Sequence, residues 1–194
     1  EVSDIWAICG DVEKMAEYLM KAARELDADK KQAEACDLQG QACERVCPMD
    51  TAKADIKSGP ILTLECYKFY FQLLLSQFVS SKDSTVRKRL FQVAKFMCDM
   101  FESFELESSA CKMMLSITIL QLHLGDVILA EQTMLNDHFS NMDYLKSKEC
   151  ECAEELIQSY KLCDSDRLEA AQNMMQLNYL EYPPRSEEHT SELQ

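Results

Sequence analysis

Cysteines, histidines and one Asp-x-Asp pair are the residues of this chain whose chemistry and spacing could build a site. Ten cysteines are present. Zinc asks for four ligands, commonly as two close Cys pairs. The close pairs here are Cys43-x3-Cys47 and Cys150-x-Cys152, and neither belongs to a doubled Cys-x2-Cys pattern. A zinc ion on Cys150 and Cys152 would need two further ligands that the sequence does not supply. Cys36, Cys66, Cys98 and Cys163 fall inside helical runs, where free Cys acts as a small apolar filler. So many unpaired thiols suit a reducing cytosol. The thiols read as structural and no metal is expected.

His123 and His138 are the histidines ahead of the last ten residues. They sit at different helical phases, with no acid–His–nucleophile signature around either. They read as helix-end side chains near carbonyls. Asp164 and Asp166 lack the Gly and Glu of an EF-hand loop and read as capping residues. No Gly-rich phosphate loop occurs. These observations predict no catalytic residue and no cofactor. Met113, Met114, Met174 and Met175 could line an adaptable groove, but core filling is the favoured reading. One local charge anomaly remains. Lys82, Arg87, Lys88 and Arg89 place four cations within eight residues of an otherwise acidic chain, and they are the candidate partner-binding residues. The competing reading is a solvated helix end.

The elements that must carry these residues are helical. Four Gly and four Pro, with abundant Ala, Leu, Met, Glu, Lys and Gln, favour helix throughout. There is no β-hairpin signal and no sustained period-2 alternation. The pattern predicts helices from Asp11 to about Asp27, from Asp29 to about Cys47, and from Pro60 to about Ser80. A further helix runs to about Ser103, with Val86, Leu90, Val93, Met97, Phe101 and Phe104 on one stripe. Another runs from about Ser108 to Leu124, and its partner from Asp126 to about Asn136. A loop around residues 140–143 leads to Ser147. That residue caps a helix with Cys150, Ala153, Leu156, Ile157 and Tyr160 inward, and a last short helix follows Asp164. No run is long and apolar enough to span a membrane. The net charge of −14 argues against nucleic acid, whose phosphates need a basic footprint.

One corner occurs twice. Gly10-Asp11-Val12 and Gly125-Asp126-Val127 each open an amphipathic helix. Gly can end one helix in a left-handed conformation, and Asp can cap the next. The first copy has Leu19 nine and Ala22 twelve positions after its Gly; the second has Ala130 five and Met134 nine positions after. That pattern resembles a tetratricopeptide-type hairpin. Hairpins predicted to begin near 11, 60, 108 and 147 are spaced more widely than a tetratricopeptide array. The expected fold is an all-α, right-handed α-solenoid of antiparallel hairpins, with one domain over residues 1–182. Two unrelated helix caps are the alternative.

The ends are expected to be non-native. Residues 185–194, Arg-Ser-Glu-Glu-His-Thr-Ser-Glu-Leu-Gln, match the in-frame translation of a common sequencing-library adapter and are excluded from fold reasoning, with 183–194 as a non-native tail. The chain starts at Glu1 without methionine, so a fragment is expected. Without Arg185, Glu187, Glu188 and Glu192 the charge becomes about −12.

Long irregular hairpins of this kind resemble the soluble NSF attachment proteins, the SNAP family, and its gamma type most closely. The resemblance lies in His123-Leu124-Gly125-Asp126-Val127-Ile128-Leu129-Ala130-Glu131, then Ser147-Lys148-Glu149-Cys150, then Glu155-Leu156-Ile157-Gln158-Ser159-Tyr160, with Asp164 and Asp166 next. It covers about 80 residues; before residue 105 the style of the repeat is shared rather than specific motifs. It implies a non-enzymatic adaptor that lays a basic concave face along the SNARE helical bundle and recruits a hexameric AAA ATPase that disassembles it. It also implies a cytoplasmic location, with peripheral membrane contact. The family's membrane-touching loop would lie upstream of Glu1 and its acidic, leucine-ending tail beyond Pro184, so neither is carried over, and the acidity departs from the family's basic face. A generic tetratricopeptide-like scaffold, and a helical part of an enzyme whose site lies elsewhere, are the alternatives.

Overall fold

A computed structural model describes residues 10–49, 59–81, 83–178 and 180. Among them every regular element is helical. The elements are α1 (Val12–Ala28), α2 (Gln32–Val46), α3 (Pro60–Ser80), α4 (Ser84–Ser103), α5 (Glu107–His123), α6 (Val127–Asn136), α7 (Met142–Leu145), α8 (Lys148–Leu162), α9 (Ser165–Gln172) and α10 (Met175–Asn178). A 3-10 turn, His138–Ser140, precedes α7. The chain divides into two compact units, residues 1–105 and 106–194. Residues 1–9, residues 50–58, Lys82 and the tail 183–194 lie outside the described residues.

In the first unit each helix packs on the next, and α1 also touches α3. Polar bonds set the directions. Gln32 at the start of α2 donates to Ser76 Oγ near the end of α3 at 3.2 Å. At the opposite end, the Tyr67 hydroxyl of α3 donates to the Cys47 carbonyl that follows α2. These two helices are therefore antiparallel. Gly59 N–H donates to Glu13 at 3.3 Å, so α3 begins beside the start of α1 and runs with it. Pro60 takes the first helical position, where its missing N–H costs nothing. The core includes Met15, Ala16, Cys43, Val46, Tyr67, Phe71, Leu90, Val93, Met97 and Phe101. Gln39, wholly buried on α2, donates to the Cys66 carbonyl of α3 at 2.9 Å.

In the second unit α5 is the central helix, packed on α6, α7 and α8, while α9 and α10 close on α8. Ala110, Leu115, Leu120, Tyr144, Ala153, Leu156 and Ile157 are buried there. Gln121 of α5 donates to Thr133 Oγ1 of α6 at 2.8 Å. Arg167 of α9 forms a two-pronged pair with Glu155 of α8, at 2.7 and 2.9 Å.

Both glycine corners take the same form. Gly10 has φ +75° and Gly125 φ +76°. Asp11 accepts from the Lys14 N–H and Asp126 from the Leu129 N–H, each at 3.0 Å. Sequence spacing misplaces the packing register of the first copy, however. Ala22 is exposed and Leu19 half-buried, whereas Ala16, Met20 and Ala23 are buried. Because α1 touches both α2 and α3, its buried stripe turns one residue further round.

Four other expectations need correction. The helix expected from Asp29 begins at Gln32, because Lys30 adopts φ +62° and makes the turn. The loop expected around 140–143 is mostly helical: Asn141 Oδ1 accepts from the Asp143 and Tyr144 N–H groups, both at 2.9 Å, and opens α7. Tyr160 is 37% exposed rather than inward; the last turn of α8 buries the small Ser159, and Tyr160, about 100° further round, sits at the rim. Cys163 is not inside a helix. It follows α8 at φ +51° and is exposed.

Candidate protein-interaction surface

The basic cluster lies where α3 hands over to α4. Ser81 is extended and Asp83 caps α4, accepting from the Thr85 N–H at 2.8 Å and from the Thr85 hydroxyl. Those bonds hold the Asp83 carboxyl below the ordinary carboxylate range. Arg87 and Lys88 follow in the first turns, and both are exposed. The first turn of α4 carries no acid of its own, so the Asp83 cap is the carboxylate set against these cations at the helix N-terminus.

Arg89 parts company with its neighbours. It lies two residues, about 200°, round from Arg87, which turns it toward the body of the unit. Its Nη2 pairs with Glu44 of α2 at 2.9 Å, and its Nε donates to the Tyr70 hydroxyl of α3 at 3.2 Å. The guanidinium also lies over the Tyr70 ring, 5.7 Å from its centre. Arg89 thus joins three helices. Helical phase is the reason that Arg87, Lys88 and Arg89 do not share a face, and Lys82 lies outside the described residues. Reversing the charge at Arg89 would break its bonds to Glu44 and Tyr70, whereas Arg87 and Lys88 are exposed.

The other candidates are distributed through the fold. His123 is the last residue of α5 and is exposed. His138 is buried, its ring 5.4 Å from Tyr144 in an edge-on arrangement. Asp164 caps α9, accepting from the Arg167 N–H at 3.0 Å, and Asp166 is exposed in that helix's first turn. Met113 and Met114 are buried in α5, as core filling requires, whereas Met174 is half-buried and Met175 is 63% exposed.

Eight cysteines, namely Cys36, Cys43, Cys47, Cys66, Cys98, Cys111, Cys150 and Cys152, are buried free thiols. Burial disfavours the thiolate. It pushes Cys36, Cys150 and Cys152 up to about 11 and Cys66 to about 12. Such thiols are poor nucleophiles and poor metal ligands at neutral pH. Among the described residues, no group of three or more His, Cys, Asp or Glu side chains could hold a metal ion. No helix there is long and apolar enough to cross a membrane.

Comparison with protein-family models gives no match, and comparison with curated proteins gives none either.

Proposed function

We propose that this chain is a non-enzymatic helical-repeat adaptor of the SNAP type, which binds a SNARE helical bundle and presents it to a hexameric ATPase. The observation that carries the reading is the doubled Gly-Asp corner, with matching left-handed glycines and matching 3.0 Å caps on Lys14 and Leu129. Two copies of one device, a left-handed glycine followed by an aspartate that caps a helix, in a chain whose described elements are all helical, support a repeat protein. Repeat proteins expose extended surfaces suited to protein partners. The continuation of these hairpins into a right-handed solenoid belongs to the proposal.

Arg87 and Lys88 are the proposed contacts, since both are exposed cations in an acidic chain. Arg89 supports them by fastening α4 to α2 and α3. The test is co-sedimentation of the chain with an assembled SNARE four-helix bundle across a salt series. Binding that weakens with salt, and that Arg87→Glu/Lys88→Glu abolishes, supports the reading. Equal binding by the reversed variant would return Arg87 and Lys88 to an ordinary solvated helix end. An absence of bundle binding even at low salt would favour a generic tetratricopeptide-like scaffold.

A further inference from the structure

Helix α6 is apolar on two opposite faces, and only one of them is covered. Its inner face buries Ala130 and Met134. Two flanking bonds hold that face in place: Thr133 accepts from Gln121 of α5, and Glu131 pairs with Lys161 of α8 at 2.8 Å. The outward arc carries Ile128, Leu129, Gln132, Leu135 and Asn136. It contains no ionisable residue. Ile128 is 71% exposed, Leu129 44% and Leu135 52%.

Other outer helices are built differently. The exposed residues of α1 include Glu13, Lys14, Glu17, Lys21, Arg24 and Glu25, and those of α4 include Arg87, Lys88, Lys95, Asp99 and Glu102. A helix that is apolar nearly all round ordinarily sits between two neighbours, and clustered apolar exposure of this kind marks an interaction surface.

We infer that the outward face of α6 docks an amphipathic helix of a partner protein, apolar toward α6 and basic along its flanks. The helical form follows from the spacing. Ile128 and Leu135 stand two turns apart on one side, roughly 10.5 Å along the axis, and fit a partner's apolar residues at i and i+7. The basic flanks follow from charge. Asp126 and Asp137 bracket α6, and acids outnumber Lys and Arg in residues 106–180, in line with the net charge of −14. A second copy of the chain would bring the same acids face to face, which disfavours self-association. An acidic rim likewise disfavours an anionic membrane. Because the inner face already holds α6 as a helix, little ordering remains to be done on docking.

The test uses the whole chain and a fluorescent designed helix of Leu and Lys with its leucines at i, i+3, i+4 and i+7. Saturable anisotropy is expected with this probe, but not with a Leu/Glu counterpart or a Ser/Lys control. Ile128→Gln/Leu135→Gln should weaken binding by roughly tenfold per substitution while its melting temperature stays level or rises. Arg87→Glu/Lys88→Glu should leave probe binding intact, so failure here is distinct from failure of the SNARE-bundle reading. Equal binding by the Gln variant, or no binding by the parent, overturns the inference. So does a dimer in sedimentation that the Gln variant dissolves, or capture by lipid vesicles through the same two residues.

Discussion

Gly40 of α2 faces the Tyr70 ring so closely that a Cβ added at residue 40 would stand 3.1 Å from the Tyr70 hydroxyl and 3.2 Å from Cζ. Gly in a helix interior ordinarily costs about 1 kcal/mol relative to Ala, so an exposed Gly40 would be improved by substitution. Here Tyr70 is buried and its hydroxyl accepts from Arg89, so the ring cannot swing away without breaking that bond. Gly40→Ala is expected to destabilise the chain by about 1 kcal/mol despite its better helix propensity. Adding Tyr70→Phe, which removes the nearer of the two atoms, should recover part of that loss. Denaturant melts of the single and double variants measure it, and a stabilised Gly40→Ala protein would show that α2 and α3 have room to separate.

Arg89 and its neighbours should separate in a stability assay. Arg89→Ala removes the bonds to Glu44 and Tyr70 and is expected to cost about 1 kcal/mol, since the pair is only partly shielded from water. Arg87→Ala and Lys88→Ala should stay within about 0.5 kcal/mol of the parent. Equal thermal shifts for all three would contradict the three-helix role of Arg89.

The left-handed turn residues predict opposite signs at different sites. Lys30 and Cys163 hold φ +62° and +51° with side chains that resist that conformation. Lys30→Gly and Cys163→Gly are expected to stabilise by roughly 0.5–1 kcal/mol each. Gly10→Ala and Gly125→Ala should destabilise by about 1 kcal/mol each. A Cβ at either glycine meets nothing within 4 Å, so the cost is backbone strain alone.

Alkaline pH should unfold the chain through its buried thiols. The folded values of about 11 for Cys36, Cys150 and Cys152 and about 12 for Cys66 lie above the ordinary 9.0. The folded state therefore binds more protons than the unfolded state between these limits. Stability carried by these groups is full below pH 9 and falls as pH rises through 11 to 12, by about 1.4 kcal/mol per pH unit for each thiol while it lasts. Denaturant midpoints taken from pH 7 to 11 should stay level up to about pH 9 on this account and drop from there on. A midpoint that rises above pH 9 would exclude burial of these thiols.

Thiol labelling offers an independent check. Cys163 is exposed, while the other eight described cysteines are buried. Cys163→Ser should remove one rapidly reacting equivalent from the native protein, and Cys66→Ser none. Rapid reaction of Cys66 in the native state would contradict the packing between α2 and α3.

Features set by neighbours along the chain were legible in the residues alone. The Gly-Asp corners, the Pro60 start, the Ser147 and Asp164 caps and the α3, α4 and α6 boundaries depend on backbone geometry and on hydrogen bonds reaching two to four residues. Asn141 belongs to the same class, since its cap reaches only the Asp143 and Tyr144 N–H groups. What tertiary structure decided lies between helices. The buried side of α1 turned on contact with both α2 and α3, which exchanged Ala22 for Ala23. Tyr160 went to the rim because its neighbour Ser159 takes the buried side of the last turn of α8. Arg89 left the basic cluster for Glu44 and Tyr70, residues 45 and 19 positions away. The outward face of α6 reads in sequence as one more apolar helix, because periodicity counts apolar residues but does not say how many sides of a helix have a neighbour.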